Sequence, residues 1–165
     1  MRGGRLTARH ELAQRLSSLR AGGEVGRIVL ANGCFDLLHA GHVRYLEDAR
    51  SRGDFLIVAL NSDHSVRAIK GQGRPLMPLA ERAEIVGALR CVDAVTSFEE
   101  ADLETTLRVL RPDVHAKGSD YTAASVPEAC IDRELGIEIA ICGDPKDHST
   151  SGLLRRIVLQ VSAER

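Results

Sequence analysis

Two histidines three residues apart, His39 and His42, close the segment NGCFDLLHAGH. On the first turn of a helix, residues at that spacing lie within about 60° of each other, so both imidazoles face the same side. A helix start adds free backbone N–H groups and the positive end of the helix dipole, which together favour phosphate. Gly41 between the rings leaves room for an anion to approach the backbone. Two imidazoles without a third ligand are too few for a zinc site. Taken alone, the pair is either a phosphate site or two satisfied loop histidines. Lys70, the KGSDY segment (Lys117, Gly118, Ser119, Asp120, Tyr121) and the hydroxyl run Ser149, Thr150, Ser151 extend the same question. A loop lysine is ordinarily solvated, Asp beside Gly is a common turn, and Ser or Thr at a helix start ordinarily caps it. Gathered in one place, these groups would hold a polyanion.

The elements that must position them alternate along the chain. Residues 27–32 (RIVLAN), 55–61 (FLIVALN), 93–98, 113–116 and 137–142 (IEIAIC) read as strands. Helices are expected from a Thr7 cap to about Arg20, ended by Gly22 and Gly23, and then over 41–52, with Val43, Leu46 and Ala49 at helical spacing. Further helices are expected over 78–90, with Ile85, Val86 and Leu89 on one face, and over 101–110, 127–135 and 150–161. Parallel strands need crossovers of about a dozen residues. The pattern therefore predicts an α/β chain: a Rossmann-like, doubly wound, five-stranded parallel sheet with helices on both faces. FLIVAL is apolar at both parities, as a strand covered on both sides must be. Ligands of such sheets bind at the carboxyl ends of the strands. That directs attention to the loops 32–41, 61–74, 117–121 and 143–151. No repeat or linker divides the sequence, so 1–165 reads as one domain, with an amphipathic lead-in over 1–26 and an α/β core over 27–161.

Composition bounds the partners. Across 165 residues, 22 Lys+Arg stand against 23 Asp+Glu, a formal charge of −1 that argues against a nucleic-acid surface. Three Phe, two Tyr and no Trp argue against base-stacking platforms. The longest apolar run, Phe55 to Leu60, is far short of the ~20 residues of a membrane span. Arg2, Arg5, Arg9 and Arg15 start the chain without a following apolar stretch. Glu11 with Leu12, Leu16 and Leu19 at helical spacing suits a docked helix better than a transit peptide. Cysteines at 34, 91, 130 and 142 form no CxxC pair, so a reducing cytoplasm is the expected setting.

NGCFDLLHAGH after a strand resembles the HxGH signature of the nucleotidyltransferase superfamily that includes the glycerol phosphate and choline phosphate cytidylyltransferases. VALNSD (58–63), IKGQGRPLMPLAER (69–82), VDAVTSFEE (92–100), RPDVHAKGSDY (111–121) and STSGLLRRI (149–157) extend the likeness. In that order they resemble the D-glycero-β-D-manno-heptose 1-phosphate adenylyltransferases over about residues 5–160. Those enzymes are often fused to a sugar kinase, so this length would correspond to the stand-alone form. The resemblance implies ATP as co-substrate, magnesium held mainly by the triphosphate, a sugar 1-phosphate acceptor and a homodimer. It implies catalytic roles for His39, His42 and Lys70. Nucleotide contacts fall on Asn32, Gly33, Cys34, Phe35, Gly41, Lys117, Gly118, Asp120, Ser149, Thr150 and Ser151, and substrate contacts on Asp36, Arg82 and Tyr121.

The residues themselves leave several of these open. Asn32 and Gly33 also suit a turn, and Phe35 packing beneath it. Cys34 beside a helix start is placed for a lowered thiol pKa, although no step of such a reaction needs a thiolate. Asp36 serves equally as a helix cap, and Arg82 as a brace or a solvated helix residue. Ser151 departs mildly from the usual Ser-Thr-Thr. The cytidylyltransferase form RTxGIST lacks its arginine here, where DPKDH (144–148) precedes Ser149. That departure favours ATP over CTP, while Asp147 is unusual for either group, and whether Lys146 or His148 replaces a phosphate contact stays open. The alternatives are a cytidylyltransferase acting on glycerol 3-phosphate or another alcohol phosphate, an FMN adenylyltransferase, and a non-catalytic nucleotide-binding protein.

Overall fold

The computed structural model describes residues 5–145 and 149–163. Five strands, β1 (Ile28–Gly33), β2 (Phe55–Asn61), β3 (Ala94–Phe98), β4 (Val114–Gly118) and β5 (Glu138–Cys142), form one parallel sheet in the order β3-β2-β1-β4-β5. Around it lie α1 (Arg9–Ala21), α2 (Ala40–Ser51), α3 (Asp63–Lys70), α4 (Leu79–Gly87), α5 (Glu104–Leu110), α6 (Ala129–Leu135) and α7 (Thr150–Ala163). The doubly wound α/β expectation is thus met, with all five strands in the places the sequence gives them.

Alternation along β2 shows why both faces are covered. Leu56, Val58 and Leu60 enter one core with Leu46 and Ala49 of α2 and Ala83 and Val86 of α4. Phe55, Ile57 and Ala59 enter the other, with Leu12 and Leu16 of α1 and Leu107 and Leu110 of α5. Leucine, valine, isoleucine and alanine do most of the filling, as the low aromatic count requires. At the opposite end from the loops of interest, carboxylates satisfy N–H groups at the starts of β1 and β2. Asp54 accepts from Arg27 N–H, Asp113 from Ile28 N–H, and Asp93 from Leu56 N–H, each at 2.7–2.9 Å.

Several local expectations need correction. Thr7 does not cap α1: its hydroxyl donates to the Arg5 carbonyl, and Ala8 is the cap residue, without a side-chain bond. The Thr7 N–H is instead drawn to Val95 O, which lays the lead-in beside β3. Residues 61–74 are not all loop, because Ser62 caps α3 by accepting from Ser65 N–H at 3.1 Å. At only eight residues and with polar composition, α3 lacks the repeated apolar spacing that reveals a longer helix. Ile85 does not share the buried face of Val86 but is 39% exposed. β4 runs two residues beyond its expected end, so Lys117 and Gly118 stand on a strand.

Since Leu12 and Leu16 are at most 2% exposed, α1 is part of the core. Leu16→Ala is expected to lower unfolding free energy by about 3 kcal/mol, read as a lower urea midpoint with an unchanged m-value.

Candidate active site

The chain order of the sheet changes direction at β1, whose neighbours are β2 and β4. At such a switch point the loops leaving adjacent strands diverge and open a crevice. A cleft of about 600 Å³ lies there, walled by Asn32, Gly33, Cys34 and Phe35 after β1, and by Lys117, Gly118, Asp120 and Tyr121 at and after β4. His39, Gly41 and His42 at the start of α2, Lys70 at the end of α3, and Ser149, Thr150 and Ser151 at the start of α7 complete it. Of the side chains expected at a site, Asp36 and Arg82 are the two that do not line this cleft.

The first loop is tightly wound. Phe35 and Leu37 adopt left-handed φ values of 48° and 55°, and a Cβ on Gly33 would come within 3.0 Å of the Phe35 ring. Phe35 is buried beneath the loop, tilted against His42 with ring centroids 5.1 Å apart. His39, in extended conformation, caps α2, and its ring stacks on His42 at 3.8 Å. The His39 N–H points at His42 Nδ1 over 3.4 Å. A neutral His42 accepting there carries its hydrogen on Nε2, which makes the ring a donor on its other edge.

Asp36 and Arg82 hold the walls in place. Asp36 is 3% exposed and accepts from Arg74 Nη1 at 2.9 Å and from the N–H groups of Leu76 and Met77 at 3.0 and 3.1 Å. Burial alone would raise this carboxyl, but the Leu76 N–H, Arg74 and the Met77 N–H outweigh it and hold it below its ordinary value. Its carboxylate is therefore committed to the 74–77 segment. Arg82, 1% exposed, donates to the carbonyls of Cys34, Asn61 and Met77 and to Asp63 Oδ1, at 2.6–3.1 Å. It is a buried brace between the two loops, not a solvated helix residue.

The hydroxyls of the last helix are bonded too. Ser149 Oγ accepts from Gly152 N–H at 3.0 Å, the capping role, while Thr150 Oγ1 donates to the Asp36 carbonyl at 2.8 Å. That second bond ties α7 to the first loop. Lys146, Asp147 and His148 lie outside the described residues. On the β4 side, Lys117 Nζ contacts Asn32 Oδ1 at 3.2 Å and Glu128 Oε2 at 2.9 Å, and sits 5.4 Å from the Tyr121 ring centre. A Cβ on Gly118 would approach Asp120 Oδ1 to 2.8 Å, a contact that the end of the Asp120 side chain can relieve by shifting. Burial raises the Cys34 thiol, overriding the nearby charges of Lys70 and Arg82, so the lowered pKa expected at a helix start is corrected.

Sequence reasoning missed Arg44, Tyr45, Asn61, Glu128 and Asp144, all on the cleft wall. Arg44 follows the histidines by two residues and reaches Asp144 at 3.2 Å. Its position in the same helical turn was the available signal. Tyr45 donates to the Ala116 carbonyl at 2.8 Å, and burial lifts its hydroxyl above the usual phenol range. Glu128 is brought in by tertiary packing alone. Among the described residues, no three His, Cys, Asp or Glu side chains gather as metal ligands, and no helix is long and apolar enough to cross a membrane.

The sequence matches the cytidylyltransferase-like family model over residues 30–155, which takes in every cleft residue named above. The chain belongs to the cytidylyltransferase-like family. As a member it is a nucleotidyltransferase, and the paired histidines at the start of α2 line the cleft at the sheet's switch point. It is 50% identical over 133 residues to the bifunctional protein HldE of Streptomyces coelicolor, covering 81% of this chain and 29% of that protein. It is 45% identical over 146 residues to HldE of Methylobacillus flagellatus, covering 88% of this chain and 30% of that one. The chain thus spans less than a third of the length of these relatives. The crystal structure of a lipopolysaccharide core biosynthesis protein from Thermoplasma volcanium superposes with a TM-score of 0.61 at 26% identity, covering 73% of this chain and 98% of that one.

Asp36→Asn keeps the shape and removes the charge, so it is expected to cost about 2 kcal/mol at pH 7. A carboxyl depressed by folding contributes stability above its unfolded pKa and loses it as pH falls through the folded value. Urea titrations of wild type and variant should therefore differ fully at neutral pH and converge below about pH 4.

Proposed function

We propose that residues 1–165 act as one adenylyltransferase unit that transfers AMP from ATP to D-glycero-β-D-manno-heptose 1-phosphate, releasing pyrophosphate. The observation that carries this reading is the convergence of His39, His42, Lys70, Lys117 and the start of α7 on one cleft at the sheet's switch point. The identity with the HldE proteins and the likeness to a lipopolysaccharide core biosynthesis protein support a heptose acceptor. The product, ADP-heptose, would supply lipopolysaccharide core or a related surface glycan. The absent RTxGIST arginine favours ATP over CTP.

The acceptor's phosphate is already anionic at neutral pH. One of its oxygens attacks the α-phosphorus of ATP, a new P–O bond forms, and the bond to the bridging oxygen of pyrophosphate breaks. No thiolate or strong base is needed, and Cys34 stays out of the chemistry. The work left to the protein is to align two polyanions and stabilise charge building on their oxygens. His42 offers Nε2–H to the phosphates, His39 stacks against it at the helix start, and exposed Lys70 reaches in as a flexible point charge. Backbone N–H groups at Gly41 and at the start of α7 hold the β- and γ-phosphates. Lys117, Asp120 and Tyr121 face the nucleoside or the acceptor hydroxyls. Magnesium arrives as MgATP, coordinated mainly by phosphate oxygens, and so belongs to the substrate.

This is an activity expected in the cytoplasm, where its nucleotide is made. The exposed apolar residues of α7, Ile157, Val158, Leu159 and Val161, support a homodimer. Light scattering should then return twice the 17.9 kDa chain mass, and a monomeric mass at micromolar concentration refutes the dimer.

Pyrophosphate release is to be measured for ATP, CTP and GTP, each against heptose 1-phosphate, glycerol 3-phosphate and FMN. Turnover with ATP and heptose 1-phosphate is expected; activity with CTP alone or FMN alone overturns the assignment, and no turnover with any pair supports a non-catalytic binder. His39→Ala should lower kcat by about 10²-fold or more with the circular dichroism spectrum unchanged. A rate within twofold of wild type removes His39 from the mechanism.

A further inference from the structure

The nucleotide end of the cleft rests on a chain of buried polar groups, two of which the reaction above does not use. His115 and Asp132 have 0% exposure. His115 sits in the middle of β4, in register with Leu30 of β1 and Ile139 of β5, and Asp132 lies on α6. The His115 Nδ1 is 2.9 and 3.1 Å from the two Asp132 oxygens. Its Nε2 is 3.3 Å from Asn32 Oδ1, the same oxygen that Lys117 Nζ contacts at 3.2 Å.

Donors and acceptors in this chain can be counted. An ammonium only donates, so the Asn32 amide must present Oδ1 and not Nδ2 to Lys117. The His115 Nε2 facing that oxygen must then carry hydrogen. Nδ1 faces a carboxylate and shares a second proton with it. Histidine and aspartate together hold that proton in a pair closed to water. A central strand position flanked by Val114 and Ala116 has no packing need for charge, and apolar side chains of similar volume are often as stable as a buried ion pair. What the pair does that leucines could not is fix which way the Asn32 amide points.

We propose that His115 and Asp132 are positioning residues for the nucleotide: they lock the Asn32 amide oxygen inward, which seats the Lys117 ammonium at the cleft wall and leaves Nδ2 to donate to the bound nucleoside. The proposal rests on the nucleotidyltransferase reading of the cleft.

Removing one partner alone leaves an unpaired buried charge, so the informative variant is the double replacement His115→Leu with Asp132→Leu. It is expected to melt within a few degrees of wild type and to raise KM for ATP about tenfold, the scale of one lost polar contact, with kcat within about twofold. Adding Asn32→Ala to the double variant should raise KM no further, because the pair acts through that amide. A folded double variant with wild-type KM, or effects of Asn32→Ala that multiply in full, overturns the proposal.

Nitrogen-15 spectra of the imidazoles in the wild-type protein give a second readout that does not depend on the variants folding. The His115 Nε2 should appear protonated, and a ring that carries its hydrogen on Nδ1 alone overturns the proposal. If the wild type prefers another triphosphate, KM is read for that one. If it turns over none, the functional reading fails while the nitrogen spectrum still decides the pair.

Discussion

A guanidinium sealed from water must find an oxygen for its N–H groups, and Arg82 does so with three carbonyls and one carboxylate. Those oxygens belong to the loop after β1, the end of β2, the first turn of α3 and the segment that precedes α4. One side chain therefore fixes the relative positions of the elements that carry His39, His42 and Lys70. Its pairing with Asp63 is partly open to solvent, so the cost of burying the charge is shared between solvated and carbonyl oxygens. Asp36 repeats the device with opposite sign, gathering Arg74 and two backbone N–H groups. Between them, a buried cation and a buried anion hold a loop whose left-handed Phe35 and Leu37 would not persist unaided.

The same logic explains how a chain of charge −1 can receive a nucleoside triphosphate. The parallel sheet sends successive loops to one edge, and the order reversal at β1 parts them there. Helix starts supply partial positive charge without any net cost in composition, and the cationic side chains are local. The carboxylates Asp54, Asp93 and Asp113 stand at the other ends of the strands, where they accept from N–H groups at the starts of β1 and β2.

The sheet was legible in the sequence because burial on both faces leaves a strong mark: FLIVALN has no polar parity to confuse it. The histidine pair and the loops around it were legible because glycine and helix-start chemistry act over a few residues. What the sequence concealed is what depends on distant partners. Asp36 and Arg82 are site residues only by the family resemblance, and their functional groups bond to Arg74 and to carbonyls up to 48 residues away. The short helix α3 is set by a Ser62 cap and by docking, not by periodicity. Glu128 and the His115–Asp132 pair could not be read at all, since α6 meets β4 only after the sheet is assembled.

With no tryptophan in the chain, all intrinsic fluorescence comes from Tyr45 and Tyr121. Tyr45 is fastened to the Ala116 carbonyl, whereas Tyr121 stands over the Lys117 ammonium on the cleft wall. Both line the cleft, one anchored in the scaffold and the other beside a cation. Tyrosine emission from the unlabelled protein therefore comes entirely from the wall of that cleft.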